Sequence, residues 1–509
     1  MNITHYFRHW KLTENPFCAE EARQDAVFTR LSASAATHPD FEKIIGDLSK
    51  PATSIVFGEK GSGKTAIRLQ MAQRLDDWNE THPDARALLI AYDDLNPPLD
   101  RFWTRQRSRS GKSTDNPFTR LKLTDHMDAI LQLATTQLVD RCVGRLETRP
   151  QARLTVKAIR QADPSVRRDF MILQAVYDQS TSAPHRTRQL RAMIRGPRNR
   201  ARLAWSALAW VGWIAPAAVA GWLVWKQIPF ADRAWLWGFG ATLGAWGLVL
   251  AKRYLYDEWR GRRVAKKIAR QIRVLDRSIV SWTQSLSQLP RALLGPGQIP
   301  IDGGEDVRFE MFHRLYRLAE AIGYSSVIIV VDRIDEPTSV SGDPDRMRAV
   351  VWPMLSNKFL QMEGFGFKLL LPIELRYALF RESSSFFQEA RLDKQNLIEQ
   401  LVWTGATLYD LCAARLRACR AQGAGDISLS DLFDDDVRPQ DVVDALDQMR
   451  QPRDAFKLLY QCIQEYCANI TEDAARSEGA WRIPRLILET VRRQQADRVG
   501  QLQRGMRPA

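Results

Sequence analysis

Eight consecutive residues, Gly58–Thr65, carry the pattern G-x-x-x-x-G-K-T, which in proteins binds the phosphates of a nucleotide. The glycines of such a loop let backbone N–H groups turn toward a β-phosphate. Lys64 would neutralise the β- and γ-phosphates, and the Thr65 hydroxyl would be a ligand of Mg²⁺. The predicted site for ATP and Mg²⁺ therefore comprises Gly58, Glu59, Lys60, Gly61, Ser62, Gly63, Lys64 and Thr65.

A second group of candidate residues follows a β-branched apolar run at 327–331, where a buried strand would end. Asp332 comes directly after this run and would hold Mg²⁺ through water. Asp335 and Glu336 follow, and either could be the general base for the attacking water if the loop folds back. The alternative is that these two acids stabilise the start of a helix.

A parallel sheet is needed to bring these side chains to one edge. The loop lies between an apolar strand pattern at 53–57 and a helix-forming segment at 66–72. Three further strands are predicted, at Ala87–Tyr92, Phe367–Leu371 and Leu397–Trp403. We therefore predict an α/β fold in which a parallel sheet is flanked by helices, followed by a C-terminal helical lid that begins near Thr407.

Two long apolar runs, Leu203–Trp225 and Ala234–Ala251, lie between the two motifs. A bilayer core needs roughly 20 apolar residues in a helix, so the first run is long enough and the second is borderline. Tryptophans crowd the ends of both runs, as is typical of membrane interfaces. We predict a transmembrane hairpin within a helical insertion, and the alternative is a buried helical hairpin of a soluble domain.

The net charge of +14 is concentrated beside this hairpin. The flanking stretches 186–202 and 252–273 account for the whole excess, and the rest of the chain is neutral overall. The positive-inside rule then places both termini in the cytoplasm, in a multi-pass protein of the inner membrane, with anionic lipid head groups as partners. The same distribution argues against nucleic acid as a partner.

These features divide the chain into four parts. The predicted parts are a first section of the ATPase core (1–100), the helical insertion (101–304), a second section of the core (305–406) and the lid (407–509).

Together the motifs resemble the AAA+ and STAND branch of P-loop ATPases. The N-terminal stretch Trp10–Phe17, followed by a short helix and the loop, is similar to secretion-associated and origin-recognition-like AAA ATPases of bacteria. A membrane hairpin between the two motifs resembles KAP-type NTPases. The resemblance covers residues 13–92 and 310–469, and it implies that the segment before the loop packs near the adenine.

The resemblance also implies roles for residues beyond the two motifs. Glu374 stands at the sensor-1 position, and Arg453 would be the sensor-2 arginine that faces the nucleotide. Arg391 would be an arginine finger that reaches the γ-phosphate of a neighbour in a homo-oligomer. Each arginine could instead be a solvated surface charge, and Arg381 and Lys394 compete with Arg391 for the finger role.

One departure from the family pattern bears on mechanism. Typical AAA+ motors have glutamate directly after the magnesium aspartate, and this chain has Arg333. Three functions stay open at this point: a membrane-anchored ATPase that rearranges an oligomer or an unidentified protein partner, a slow STAND- or KAP-like signalling or phage-defence switch, and a nucleic-acid-handling AAA ATPase.

Overall fold

A computed structural model describes residues 2–18, 22–31, 37–110, 116–143, 150–230, 232–233, 235–470 and 481–503. The chain divides into two compact units. The sheet unit consists of Met1–Asp94, Ser326–Arg348 and Leu355–Ala509. The helical unit consists of Leu95–Ser325 and Ala349–Met354.

The sheet has five strands: β1 (Ser54–Gly58), β2 (Arg86–Tyr92), β3 (Tyr324–Val331), β4 (Phe365–Pro372) and β5 (Asn396–Ile398). Their order is β2-β3-β4-β1-β5, and β1 pairs in parallel with both β4 and β5. β3 also pairs in parallel with β4. β1 and β4 are buried along their whole length, as expected for a sheet covered on both faces. The prediction of an α/β fold with a parallel sheet flanked by helices is confirmed.

The last strand is shorter than the sequence pattern indicated. The predicted strand was Leu397–Trp403, but the ladder with β1 ends at Ile398. Beyond that point one further backbone bond reaches β1, from the N–H of Leu401 to the carbonyl of Phe57 at 2.9 Å. The backbone N–H of Trp403 donates instead to the carbonyl of Arg450 at 3.4 Å. The apolar residues after Ile398 therefore serve contacts with the loop and the lid, which periodicity alone does not distinguish from a strand.

The helices of the sheet unit are Ile3–His9, Ala26–Arg30, Phe41–Ile45, Lys64–Thr81, Asn357–Leu360, Ile373–Leu379, Ser384–Ala390, Gly405–Ala418, Pro439–Asp447, Pro452–Asn469 and Arg485–Gln503. Pro344–Val351 contains residues of both units. The helix near the predicted start of the lid begins at Gly405, where the side chains of Thr404 and Thr407 cap it reciprocally. Tyr6 and Phe17 pack into the same core as the C-terminal helices, so the N-terminal segment belongs with the lid.

The helical unit contains Asn96–Ser110, Leu123–Val143, Pro150–Gln161, Pro164–Tyr177, Ala183–Ile194, Arg200–Val211, Ile214–Trp225, Ala241–Leu250, Asp257–Gln271, Ile279–Leu286 and Asp306–Ala321. The last of these helices lies in a segment that the sequence pattern assigned to the second section of the core. Arg308 fixes it to the helical unit, because its guanidinium pairs with the buried Asp128 at 3.4 Å. Asp128 also accepts a hydrogen bond from the Tyr177 hydroxyl at 2.9 Å. Burial raises the pKa of Asp128 to about 6.

The two apolar runs form antiparallel helical arms. Among the described residues, which exclude positions 231 and 234, one helix is long and apolar enough to cross a membrane, and it spans Arg200–Trp225. Of its most apolar stretch of 18 residues, 17% is buried. The second arm combines Ala241–Leu250 with wider π-helical turns on either side. Trp246 joins the arms, because its Nε1 donates to the carbonyl of Ala209 at 3.0 Å.

A buried lysine makes stability depend on pH. Lys368 lies on β4, and its Nζ donates to the carbonyl of Ala52 at 2.7 Å. Burial lowers the pKa of Lys368 to about 7. An unfolded lysine has a pKa of about 10.4, so between these values the unfolded state binds more protons and stability rises with pH.

We therefore expect wild type to gain about 2 kcal/mol in the free energy of unfolding, relative to Lys368→Met, between pH 7 and pH 9. Thermal or denaturant unfolding at several pH values measures this difference. Lys43→Met removes an exposed lysine and should leave the pH slope of wild type unchanged. Parallel pH profiles for wild type and Lys368→Met would contradict the assignment.

Candidate functional site

The loop after β1 has the backbone conformation that its glycines permit. Gly61 and Gly63 have φ values of +103° and +94°, a left-handed region that side chains disfavour. A Cβ atom on Gly61 would also lie 3.1 Å from the Cβ of Arg453. The helix Lys64–Thr81 begins directly after Gly63, so its positive N-terminal end faces the loop.

Lys64 lies across the mouth of the loop. Its Nζ donates to the carbonyl oxygens of Gly58 at 2.6 Å and Glu59 at 3.0 Å. Burial lowers the pKa of Lys64. Four carboxylates oppose that shift, in decreasing order of effect: Asp335, Asp332, Glu374 and Glu59. The ammonium group therefore stands within a cluster of acids at the carboxyl edge of the sheet, where ligands bind in α/β folds.

Thr65 and Asp332 meet although they are far apart in sequence. The Thr65 Oγ1 donates to Asp332 Oδ2 at 3.3 Å, and Asp332 Oδ1 accepts from the backbone N–H of Arg333 at 2.9 Å. Burial raises the pKa of Asp332, and the cation of Arg68 is the largest opposing influence. A hydroxyl and a carboxylate side by side supply hard oxygen ligands, which fit Mg²⁺.

Two further residues of this cluster were not predicted from the sequence. Arg68 Nε lies 3.5 Å from Asp332 Oδ2, and Arg68 Nη1 lies 3.0 Å from Asp93 Oδ2. Their positions relative to the predicted helix and strand could have indicated them. Arg68 is one helical turn after Lys64, and Asp93 directly follows β2.

The acids after Asp332 lie in a tight turn, since the N–H of Glu336 donates to the carbonyl of Arg333 at 3.3 Å. The next described helix begins only at Pro344, so these acids do not open a helix. Arg333 has a φ of +61°, and its guanidinium forms an ion pair with Glu336. Asp335 forms no ion pair among the described residues and has the largest effect on Lys64 of the four acids.

A cavity of about 280 Å³ lies beside the loop within the sheet unit. Its lining includes Lys64, Thr65, Asp332, Asp335, Glu336 and Arg453 of the predicted set. Lys64 is the buried cation of this lining. A cation at the cavity wall fits an anionic ligand such as a nucleotide phosphate.

The cavity lining also includes two aromatic residues, Phe28 from the N-terminal segment and Phe456 from the lid. Neither residue was named in the sequence prediction. The Arg415 guanidinium lies 4.5 Å from the centre of the Phe456 ring, and its Nη1 pairs with Asp25 Oδ2 at 2.7 Å. Arg415 lies in the helix Gly405–Ala418 and is buried. From sequence alone, a charged residue in such a helix is expected at the surface.

The remaining predicted residues are divided between the site and the surface. Arg453 is the second residue of the helix Pro452–Asn469 and contacts the loop at Gly61. Glu374 lies in the first turn after β4, within electrostatic reach of Lys64. Arg391 is exposed, has a φ of +47° and does not line the cavity.

Fold and site define the class: an α/β protein with a glycine-rich loop, a lysine, a hydroxyl and a carboxylate gathered at the carboxyl edge of a parallel sheet. Comparison of the chain with family models, with curated proteins and with solved structures finds no match.

Proposed function

We propose that this protein is a membrane-anchored P-loop ATPase that binds Mg-ATP at Gly58–Thr65 and passes its nucleotide state to an oligomer or a protein partner. The observation that carries the proposal is the juxtaposition of three side chains from distant parts of the sequence. Lys64 closes the loop, and Thr65 Oγ1 lies 3.3 Å from Asp332 Oδ2. A cation for phosphate beside two oxygen ligands for Mg²⁺ is the minimum set for binding Mg-ATP.

Each residue then has a defined role. Lys64 and the backbone N–H groups of the loop hold the phosphates, while Thr65 and Asp332 hold Mg²⁺. The bound ion neutralises charge on the phosphate oxygens. Arg453 reports the nucleotide to the lid, and Arg391 reaches into the site of a neighbouring copy.

The aromatic part of the cavity lining is suited to the adenine base of ATP. Phe28 and Phe456 offer apolar ring surfaces, and the ion pair with Asp25 and the ring of Phe456 hold Arg415 in place. Such a wall would hold adenine by stacking and apolar contact rather than by charge.

We assign the water-orienting role to Asp335. Glu336 is paired with Arg333, whereas Asp335 lines the same cavity as Lys64 and has the largest electrostatic effect on it of the four acids. Positioned acid–base groups contribute about 10²–10⁴-fold in rate. In Asp335→Asn we expect turnover to fall about 100-fold while ATP stays bound.

The matched variant Glu336→Gln should lose less than about fivefold, since it removes an acid already engaged in an ion pair. Turnover and bound nucleotide are measured on the same detergent-purified samples. A larger loss in Glu336→Gln than in Asp335→Asn would reverse the assignment.

The pairing of Arg333 with Glu336 supports a second candidate, a slow switch of the STAND or KAP kind that signals through its ATP-bound state. Such a protein keeps ATP bound, with turnover near background in wild type. The turnover of wild type in the experiment above separates the two functions. An ATP-bound wild type without turnover favours the switch.

Membrane anchoring rests on exposed apolar surface. Most of the large exposed apolar side chains in the described chain lie between residues 203 and 259; examples are Leu208, Trp210, Ile214, Val224 and Leu248. Soluble monomers rarely expose apolar patches of this extent. We therefore propose that both arms of the hairpin lie in the inner membrane, with the ATPase and both termini in the cytoplasm.

A further inference from the structure

Arginine side chains line a cavity of about 1130 Å³ in the helical unit, and none of its lining residues is acidic. Six of the arginines come from one stretch: Arg188, Arg191, Arg195, Arg198, Arg200 and Arg202. The seventh, Arg253, comes from the second arm of the hairpin. We call this cavity the arginine pocket.

The positive charge of the arginine pocket is not neutralised within the described chain. None of its seven arginines forms an ion pair there. Glu258 and Asp257 act on Arg202 without forming an ion pair with it, and both are engaged elsewhere. Asp257 pairs with Lys252 and Arg291, and Glu258 pairs with Arg262.

Crowding these cations has a cost in free energy that a bound anion would recover. Burial lowers the pKa of Arg191, and the neighbouring charges of Arg198 and Arg188 lower it further. Diffuse attraction to a membrane surface needs no such convergence, since well-separated cations are sufficient. The convergence itself therefore indicates a ligand.

The backbone holds the arginine pocket in shape. Arg195 caps the C-terminal end of the helix Ala183–Ile194 with a φ of +53°, and its N–H donates to the carbonyl of Arg191. Asn199 then fixes the start of the next helix, because its Nδ2 donates to the carbonyl of Leu289 at 2.9 Å and its Oδ1 accepts from the N–H of Arg202 at 3.1 Å. The backbone of the pocket is therefore ordered before a ligand binds, and the ordering cost of binding lies in the arginine side chains.

The chemistry of the lining identifies the ligand class. Guanidinium groups bind phosphate through paired hydrogen bonds, and seven of them exceed what one phosphate can accept. Leu203 and Ser206 also line the pocket, so it opens beside the first residues of the apolar arm. A ligand with its phosphates on the arginines could therefore lay an acyl chain along that arm.

We propose that the arginine pocket binds a head group with two phosphates, carried by an anionic lipid of the membrane. The same chemistry would accept a soluble diphosphate. The pocket does not depend on the loop Gly58–Thr65, and its lipid source rests on the proposed membrane anchor.

The test uses full-length protein in zwitterionic detergent, with Lys64→Ala as background so that the nucleotide loop does not bind the probes. Affinity is measured for diphosphatidylglycerol, phosphatidylcholine and inorganic pyrophosphate. The pocket variant is Arg198→Gln/Arg200→Gln, because both side chains are exposed and make no hydrogen bond or ion pair in the described chain. The matched control is Arg260→Gln/Arg270→Gln, which removes two exposed charges of the other basic flank.

We expect the protein to prefer diphosphatidylglycerol over phosphatidylcholine. The pocket variant should bind diphosphatidylglycerol at least about tenfold more weakly, and the control should change less than about threefold. If only pyrophosphate shows this pattern, the pocket serves a soluble diphosphate. Equal losses in both variants, or no preference for either anion, would overturn the proposal.

Vesicle flotation keeps this outcome separate from the proposed anchor. Wild type, pocket variant and control should all float with phosphatidylcholine vesicles, since apolar insertion does not require the arginines. Failure of all three to float contradicts the anchor and leaves the comparison of variants in detergent valid.

Discussion

In Lys64→Ala we expect the affinity for Mg-ATP to fall at least about 100-fold and turnover to vanish. The Lys64 Nζ now donates to two carbonyls of the loop, at 2.6 and 3.0 Å, and would redirect these bonds to phosphate oxygens. Charged hydrogen bonds contribute about 1.5–3 kcal/mol each, and every 1.4 kcal/mol is tenfold in affinity. Because bonds between two ions are stronger than bonds to neutral carbonyls, the exchange favours bound ATP, and the expected 100-fold loss corresponds to about 3 kcal/mol.

Lys50 provides the matched control, because its side chain is exposed and it lies outside the loop Gly58–Thr65 and the cavity lining. Lys50→Ala should bind Mg-ATP within about threefold of wild type, since an exposed charge contributes little. Titration with a fluorescent ATP analogue in detergent measures all three proteins, and their melting temperatures verify folding. Equal affinity in wild type and Lys64→Ala would remove the loop from the site.

The second large effect is expected in Asp332→Asn, where Mg²⁺ should no longer enhance ATP binding and turnover should fall at least about 100-fold. Asp332 Oδ2 lies 3.3 Å from Thr65 Oγ1, so the substitution removes the charged member of the pair. Binding of ATP without Mg²⁺ should be equal or tighter, because one negative charge near the phosphates is lost.

Asp93→Asn separates this effect from a change at Arg68, which contacts both acids. Asp93 also contacts Arg68 but is not the partner of Thr65, so its variant should keep the Mg²⁺ enhancement. ATP affinity is compared with Mg²⁺ and with chelator present. Retained enhancement in Asp332→Asn, or its loss in Asp93→Asn alone, would contradict the assigned ligand.

The local sequence pattern predicted the loop and the strand before Asp332 because these features depend on the residue types within them. The glycines of the loop favour a turn, and the β-branched run before Asp332 favours a buried strand. Parallel pairing of β1 and β3 with β4 then brings their carboxyl ends to one edge, so Thr65 and Asp332 meet. The choice between Asp335 and Glu336 needed the structure, since it depends on which acid Arg333 engages.

The roles of residues that contact distant segments of the chain could not be predicted from the local sequence. Arg415 is buried because Asp25, far away in the chain, supplies its counter-charge. Phe28 and Phe456 come together only through packing of the N-terminal segment on the lid. The end of the last strand was predicted wrongly for the same reason. The indole Nε1 of Trp403 donates to the carbonyl of Ser62 in the loop at 2.9 Å, so Trp403 serves the loop and does not extend the sheet.

Equilibrium titration of full-length wild type with Mg-ATP, with stoichiometry determined, tests the central claim most directly. We expect saturable binding of one ATP per chain in the range of about 1 μM to 1 mM, with the affinity reduced when Mg²⁺ is chelated. Absence of saturable binding in a folded sample would contradict the claim that the loop Gly58–Thr65, with Asp332, is a Mg-ATP site.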